Sequence, residues 1–337
     1  MGRGAFHAGA WNDEAWGAFH AGAWNDDVRY CAWNDELIRN DKLYWTVSLT
    51  WFVFAILTAV AVASQDAWIK KWFSHLNPVE MFVLPLLFGL PLTLVTLLFV
   101  PVPALDRVFY ISFAVSLPLN AVPFILYMAA IRQSPLSLTL PYLAFTPVFR
   151  VPTGYFLLDE LPDAWGLVGI LTVCAGSYVL NIDVRHWSVF EPLKAVFRER
   201  GSWIMLIVAL IFAFSSVVGK LAIMHSSVMF FQMSFFAVLG ITLALGFGIA
   251  GKIRFAKMVE HPVKGIVAGI LVYFHILFHG IAIAMTKAAY MISIKRMSIL
   301  LGVVYGGYFF DEDNIVIRFL GSLLMVAGAV IILVAGG

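Results

Sequence analysis

The stretch PLSLTLPYLAFTPVFRVPTGYFLLDELPDAWGLVGILTVCAGSYVLN, residues 135–181, decides the reading of this chain because it occurs twice. Its echo, KAAYMISIKRMSILLGVVYGGYFFDEDNIVIRFLGSLLMVAGAVIIL, covers residues 287–333, and one fixed offset of 152 positions aligns the two without a gap. Gly154 falls on Gly306, Asp159 on Asp311, Glu160 on Glu312, Gly169 on Gly321, Ala175 on Ala327 and Gly176 on Gly328. Each copy is an apolar run, an acidic break and a second apolar run with small residues seven apart. Duplicated apolar segments with matching interruptions mark membrane proteins built from repeats.

Composition agrees. The chain is 61% hydrophobic and 12% charged, about half the charged share of a soluble domain. Its apolar residues form long runs such as 43–65, 81–105 and 265–286. Each run can cross a hydrocarbon core, which takes about 20 helical residues. None carries the charged face of a soluble amphipathic helix. The fold class is therefore all-α integral membrane.

Ten spans are read along the chain: 43–65 (extending towards Trp72), 78–100, 109–131, 135–158, 164–181, 202–224, 228–251, 265–286, 289–310 and 315–334. The fourth is broken by Pro141, Pro147 and Pro152. The repeat unit is thus five helices, and an odd count forces the second copy to enter the bilayer from the opposite side. This predicts two inverted five-helix repeats, 43–181 and 201–335, joined by a basic connector over 182–200. Residues 1–42 stand apart: GAFHAGAWNDE at 4–14 returns as GAFHAGAWNDD at 17–27. They read as a disordered repetitive tail that need not be native, since His7 and His20 lack metal-ligand spacing. No apolar core follows a basic start, so the tail is not a signal peptide.

Ten spans, two five-helix halves and these motifs resemble the EamA-type transporters of the drug/metabolite transporter superfamily. SPLSLTLPYLAFTPVF before GYFLLDE carries the likeness in the first half, and ISIKRMSILLGVVYGGYFFDE before GSLLMVAGAVII in the second. The resemblance implies a secondary transporter, expected to be an exporter in the plasma (inner) membrane of a prokaryote. Relatives move amino acids, sugars, nucleotide precursors and drugs. It also implies that both termini are cytoplasmic. The positive-inside rule points the other way, because Lys70, Lys71, Arg132, the connector, Lys252, Arg254, Lys257 and Lys264 share one side. The two indications disagree.

Polar side chains inside lipid cost several kcal/mol and are expected to face a cavity or a partner. In span three, Asn120 and Tyr127 share a face; in span eight, His275 and His279 do, and the offset maps Tyr127 onto His279. Span four carries the stripe Thr139, Tyr142, Thr146 and Arg150, and span nine the positions Lys295 and Ser298, with Thr146 mapping onto Ser298. These ten residues are the candidate solute pathway, lined by spans three, four, eight and nine. Arg150 reads either as an anion contact or as a structural charge bonded to carbonyls freed by proline. It keeps its proton and suits an anionic or zwitterionic solute. Arg296 is expected to snorkel to the headgroups, and Lys70 and Lys220 to lie at the interface. The acidic pairs are expected to end one helix and favour the N-terminus of the next. Gly169, Gly176, Gly321 and Gly328 are expected to permit close helix packing.

The basic residues sit in short loops and form no broad surface, so nucleic acid is not a partner. Cys31 and Cys174 suggest neither a disulfide framework nor a metal knuckle. No phosphate-cradling Gly-rich loop is present, which removes ATP-driven transport. No cofactor is expected. The partners are a small-molecule solute and the lipid bilayer, with ion or proton coupling open and oligomeric state unassigned. No Asp or Glu is placed in mid-span, leaving His275 or His279 as the proton carrier. Two rival readings are an intramembrane enzyme with His275 and His279 as metal ligands, and a scaffold that transports nothing.

Overall fold

The computed structural model describes residues 41–134, 139–179, 200–310 and 315–335. Residues 1–40 of the repetitive tail, positions 135–138, residues 180–199 of the connector region and the second acidic pair, Asp311 and Glu312, lie outside them, whereas Asp41 and Lys42, assigned above to the tail, open α1. Every regular element among the described residues is helical. In chain order these are α1 (Asp41–Phe73), α2 (Pro78–Phe99), α3 (Arg107–Gln133), a 3-10 helix (Leu140–Phe145), α4 (Thr146–Leu158) and α5 (Ala164–Val179). There follow α6 (Arg200–Met224), α7 (Val228–Ile249), a short turn (Phe255–Met258), α8 (Pro262–Met285), α9 (Ala288–Lys295), α10 (Met297–Phe310) and α11 (Ile315–Ala335). Arg200, assigned above to the connector, opens α6.

Among the described residues, six helices are long and apolar enough to cross a membrane: α1 from Leu49, α2, α3, α6, α7 and α8. They are the first three helices of each sequence half. Of the other expected spans, α5 has 16 residues and α11 has 21. Span four is a 3-10 helix followed by α4, and span nine is divided by Arg296 into α9 and α10. The division in span four differs from the expected one. Pro147 sits in the first turn of α4, where no donor is needed, and Pro152 lies inside a continuous helix. The change of helix type falls at Phe145 and Thr146, whose offset partners are Met297 and Ser298. Both interruptions therefore occupy equivalent positions.

Local signals set the helix ends. Asn77 and Glu80 form a reciprocal capping box at the start of α2, each backbone N–H donating 2.9 Å to the other's side chain. Asp106 accepts from Phe109 N at 2.8 Å to open α3, and Ser227 accepts from Phe230 N to open α7. At the end of α4, Asp159 takes the left-handed conformation at φ 53°. The Asp159 and Glu160 N–H groups return to the carbonyls of Tyr155 and Gly154.

Helix packing crosses between the halves. α3 lies along α6 and α1 along α8; α2 packs on α7 and α8, and α4 and α10 pack on α6 and α1 respectively. α5 and α11 make the most extensive pairing. In lipid, association depends on close van der Waals fit, because lipid tails are as apolar as leucine. Glycine supplies that fit. A Cβ on Gly176 would meet Met325 N at 2.6 Å and Gly321 O at 2.7 Å, and one on Gly328 would meet Gly169 O at 2.7 Å.

Polar clamps tie the helix ends. Arg254 grips Glu80 through Nη2 at 2.7 Å and Nε at 2.9 Å, while Asn77 donates to Lys252 O at 3.0 Å. Elsewhere, His225 Nδ1 lies 2.6 Å from Asp106.

Gly176→Leu is expected to lower stability by about 1–3 kcal/mol through overpacking. A Cβ at Gly246 meets nothing within 4 Å, so Gly246→Ala should not destabilise. Thermal melts of the detergent-solubilised variants check this; equal midpoints for the two would contradict the packing account.

Candidate functional site

A cavity of about 120 Å³ lies among the helices, with walls from α1, α3, α4 and its preceding 3-10 helix, α6, α7, α8, α9 and α10. By volume it holds about four waters, at about 30 Å³ each. The expected spans three, four, eight and nine all contribute. So do α1, α6 and α7, through Asp66, Lys220 and Gln232 among others.

Seven of the ten sequence candidates line this cavity: Asn120, Tyr127, Thr146, His275, His279, Lys295 and Ser298. Asn120 Nδ2 and Thr146 Oγ1 donate to backbone carbonyls of their own segments, Ser116 O at 2.9 Å and Leu143 O at 2.7 Å. Thr139, Tyr142 and Arg150 are not brought to the cavity surface; all three are buried within the wall. The spacing that put them on one stripe assumes an unbroken α-helix, and the 3-10 segment rotates that register. Arg150 donates to Ser216 Oγ, and Ser216 does line the cavity. Arg150 thus stands one layer behind the surface, with its Nε and Nη2 unsatisfied among the described residues.

The main correction concerns charge. Asp66 is a buried carboxylate well inside α1, because that helix runs on to Phe73. It accepts a hydrogen bond from the Tyr127 hydroxyl at 2.5 Å. Ending the first span at Gln65 concealed it; the signal was an Asp within an apolar helical run. Arg296 does not snorkel. It is buried, lines the cavity, and its Nε has no hydrogen-bond partner among the described residues. The interruption between α9 and α10 explains this, since it turns Arg296 onto the same side as Lys295 and Ser298.

His275 joins two helices. Its Nδ1 is 3.0 Å from Gln65 Oε1, and its Nε2 is 3.0 Å from Lys295 Nζ. An ammonium only donates, so Nε2 accepts, and Nδ1–H donates to the Gln65 carbonyl. This neutral tautomer holds the Lys295 ammonium at the cavity surface. Both His275 nitrogens are therefore engaged. No group of three or more His, Cys, Asp or Glu among the described residues has the geometry to hold a metal.

Lys220 is not interfacial as expected. It is buried in an ion pair with Glu160 and also donates to Thr286 O at 2.8 Å. Glu160 in turn accepts from Ala288 N at 3.2 Å, at the N-terminus of α9. The carboxylate thus favours the start of α9, while Asp163 accepts from Gly166 N to cap α5.

Residues 49–182 match the model of the EamA-like transporter family. The match covers the first sequence half, and the apolar helices of both halves make the chain a multi-pass membrane protein similar there to EamA-type transporters. One solved crystal structure of a protein is similar in fold, with a TM-score of 0.56 at 14% identity, over 86% of this chain and 96% of that one. At that identity the likeness bears on fold alone. No curated protein matches the chain.

Breaking a buried ion pair by removing one partner costs about 3–5 kcal/mol, whereas replacing both is often near neutral. Lys220→Met and Glu160→Gln are each expected to destabilise by that order, and the double variant by clearly less than their sum. Unfolding measurements on the three variants test this; strict additivity would contradict the pairing.

Proposed function

With the EamA-like match over residues 49–182 as the premise, we propose that the chain is a secondary carrier for a small organic solute bearing a negative charge, anionic or zwitterionic. It works by alternating access between two inverted five-helix halves, 43–181 and 201–335. The observation that carries this reading is the charge of the cavity wall. Arg296 is buried, Lys295 is partly buried, and both reach the cavity, against the single carboxylate of Asp66 among its described lining residues, while Lys220 is already matched by Glu160. Unmatched cations inside a bilayer are costly, so a site that keeps them is suited to receive an anion.

A two-fold relation between the halves gains support from how the helices meet. Exchanging each helix for its counterpart in the other half turns the α3–α6 contact into α8–α1, and the α4–α6 contact into α10–α1. The α2–α7 and α5–α11 contacts turn into themselves. A two-fold relation produces this pattern. Ser64, which bonds Tyr305 of α10 at 3.1 Å, has its offset partner in Ser216, which accepts from Arg150 of α4. Interrupted helices at equivalent positions beside a central cavity are a recurring device of repeat-built carriers. A prokaryotic plasma membrane suits this carrier. The net direction, efflux included, follows the gradients of whatever the cavity binds.

Counterflow into proteoliposomes, run over a panel of small carboxylates and amino acids, tests the reading. Lys295→Met and Arg296→Gln are each expected to weaken uptake about 100-fold, the equivalent of about 2.7 kcal/mol for a buried charge contact. Lys257→Met, at an exposed position, should transport normally. Uptake unchanged in both cavity variants would overturn the assignment.

A further inference from the structure

We propose that Asp66 couples this carrier to protons: the anionic solute held by Lys295 and Arg296 enters the cavity together with a proton, which Asp66 carries. The inference rests on the anionic reading above and adds a second transported species to it.

Asp66 lies on α1 with 6% of its surface exposed and faces the same cavity as the two cations. From α3, the Tyr127 hydroxyl donates to it at 2.5 Å. From the α9–α10 junction, Lys295 and Arg296 are the cations whose charge acts on it. α8 presents His275 and His279 to the cavity, and α6 presents Lys220, already paired to Glu160. In the empty cavity Asp66 is thus the resident counter-ion of Lys295 and Arg296.

A solute carboxylate bound to those cations shares a space of about 120 Å³ with the Asp66 carboxylate. Two carboxylates in one site do not both stay ionised readily; each raises the other's hold on a proton. Linkage is reciprocal, so a proton on Asp66 strengthens anion binding by the same factor. The histidines do not serve. His275 Nε2 accepts from the Lys295 ammonium, so a proton there would set two cations face to face. A proton on His279 would add a positive charge to a wall already rich in them. The cavity charge supports the same choice. Lys295, Arg296 and ionised Asp66 leave one positive charge, and adding an anion and a proton leaves it unchanged. The loaded and empty carriers then bury the same net charge, and transport is electroneutral. The proton comes from water on the entry side and returns to water on the exit side. Only the O–H bond of Asp66 forms and breaks.

The test is calorimetric titration of the detergent-solubilised full chain with pyruvate, in buffers of different ionisation enthalpy. Wild type is expected to take up about one proton per pyruvate where Asp66 starts ionised. Its apparent affinity there should rise about tenfold per unit fall in pH. Asp66→Asn, which mimics the protonated state, should bind with no proton uptake and no pH slope. Tyr127→Phe removes the hydroxyl that favours the ionised form, so the slope should shift to higher pH; it serves as the second reading should Asp66→Asn not fold. Pyruvate binding without proton uptake in wild type overturns the coupling and leaves the anionic carrier standing. Proton uptake that persists in Asp66→Asn, or a slope unmoved in Tyr127→Phe, assigns the proton to another group and also overturns it. Absence of pyruvate binding overturns the anionic reading itself, and the coupling with it.

Discussion

A charge taken out of water must find a partner, and in a bilayer water does not supply one outside a cavity. That constraint governs this molecule. Asp66, Glu160, Lys220 and Arg296 are buried, and Lys295 partly buried, on helices or helix junctions. Glu160 and Lys220 satisfy each other and tie the start of α9 to α6. Asp66, Lys295 and Arg296 meet around one cavity, with Tyr127, His275 and Gln65 holding them in place. The first group closes a structural joint. The second leaves an excess of cations facing open space, and this is what a soluble anion can use.

The scaffold around the cavity follows from lipid physics. Because apolar contact gives no net drive between helices in hydrocarbon, backbone approach decides which helices associate. α5 and α11 approach through Gly169, Gly176, Gly321 and Gly328, away from the cavity. The two interrupted segments, 3-10 helix to α4 and α9 to α10, bring Thr146, Lys295, Arg296 and Ser298 to the cavity. Regular helix gives support, and irregular helix brings polar groups to the cavity. Irregular backbone is tolerated at membrane depth only in such protein-lined places.

Much of this was legible in the chain itself. The repeated stretch showed which segments correspond, and the glycine spacing foretold close packing by α5 and α11. Asn120 and Tyr127, which share a face, and His275 and His279, which share another, line one cavity. What escaped has definite physical causes. Asp66 was lost because its apolar run carries on past Gln65 and Asp66 towards two lysines, so the charges looked like a helix end. Arg296 and Lys220 were placed at the interface by a rule about long basic side chains, which holds for straight helices near headgroups. It fails where a helix is interrupted or where a carboxylate from another segment arrives. The stripe through Thr139, Tyr142 and Arg150 rested on a helical period that the 3-10 segment does not keep.

The account turns on a cavity that water and solute enter from an aqueous phase. Ser298 lines it beside the two cations. A single cysteine placed there, in a chain whose Cys31 and Cys174 are replaced by serine, can be challenged in membrane vesicles with a negatively charged, membrane-impermeant thiol reagent. The account predicts that Ser298→Cys reacts and that a transported carboxylate slows the reaction. A cysteine at that position which stays unmodified from both sides of the membrane, in folded protein, would contradict it.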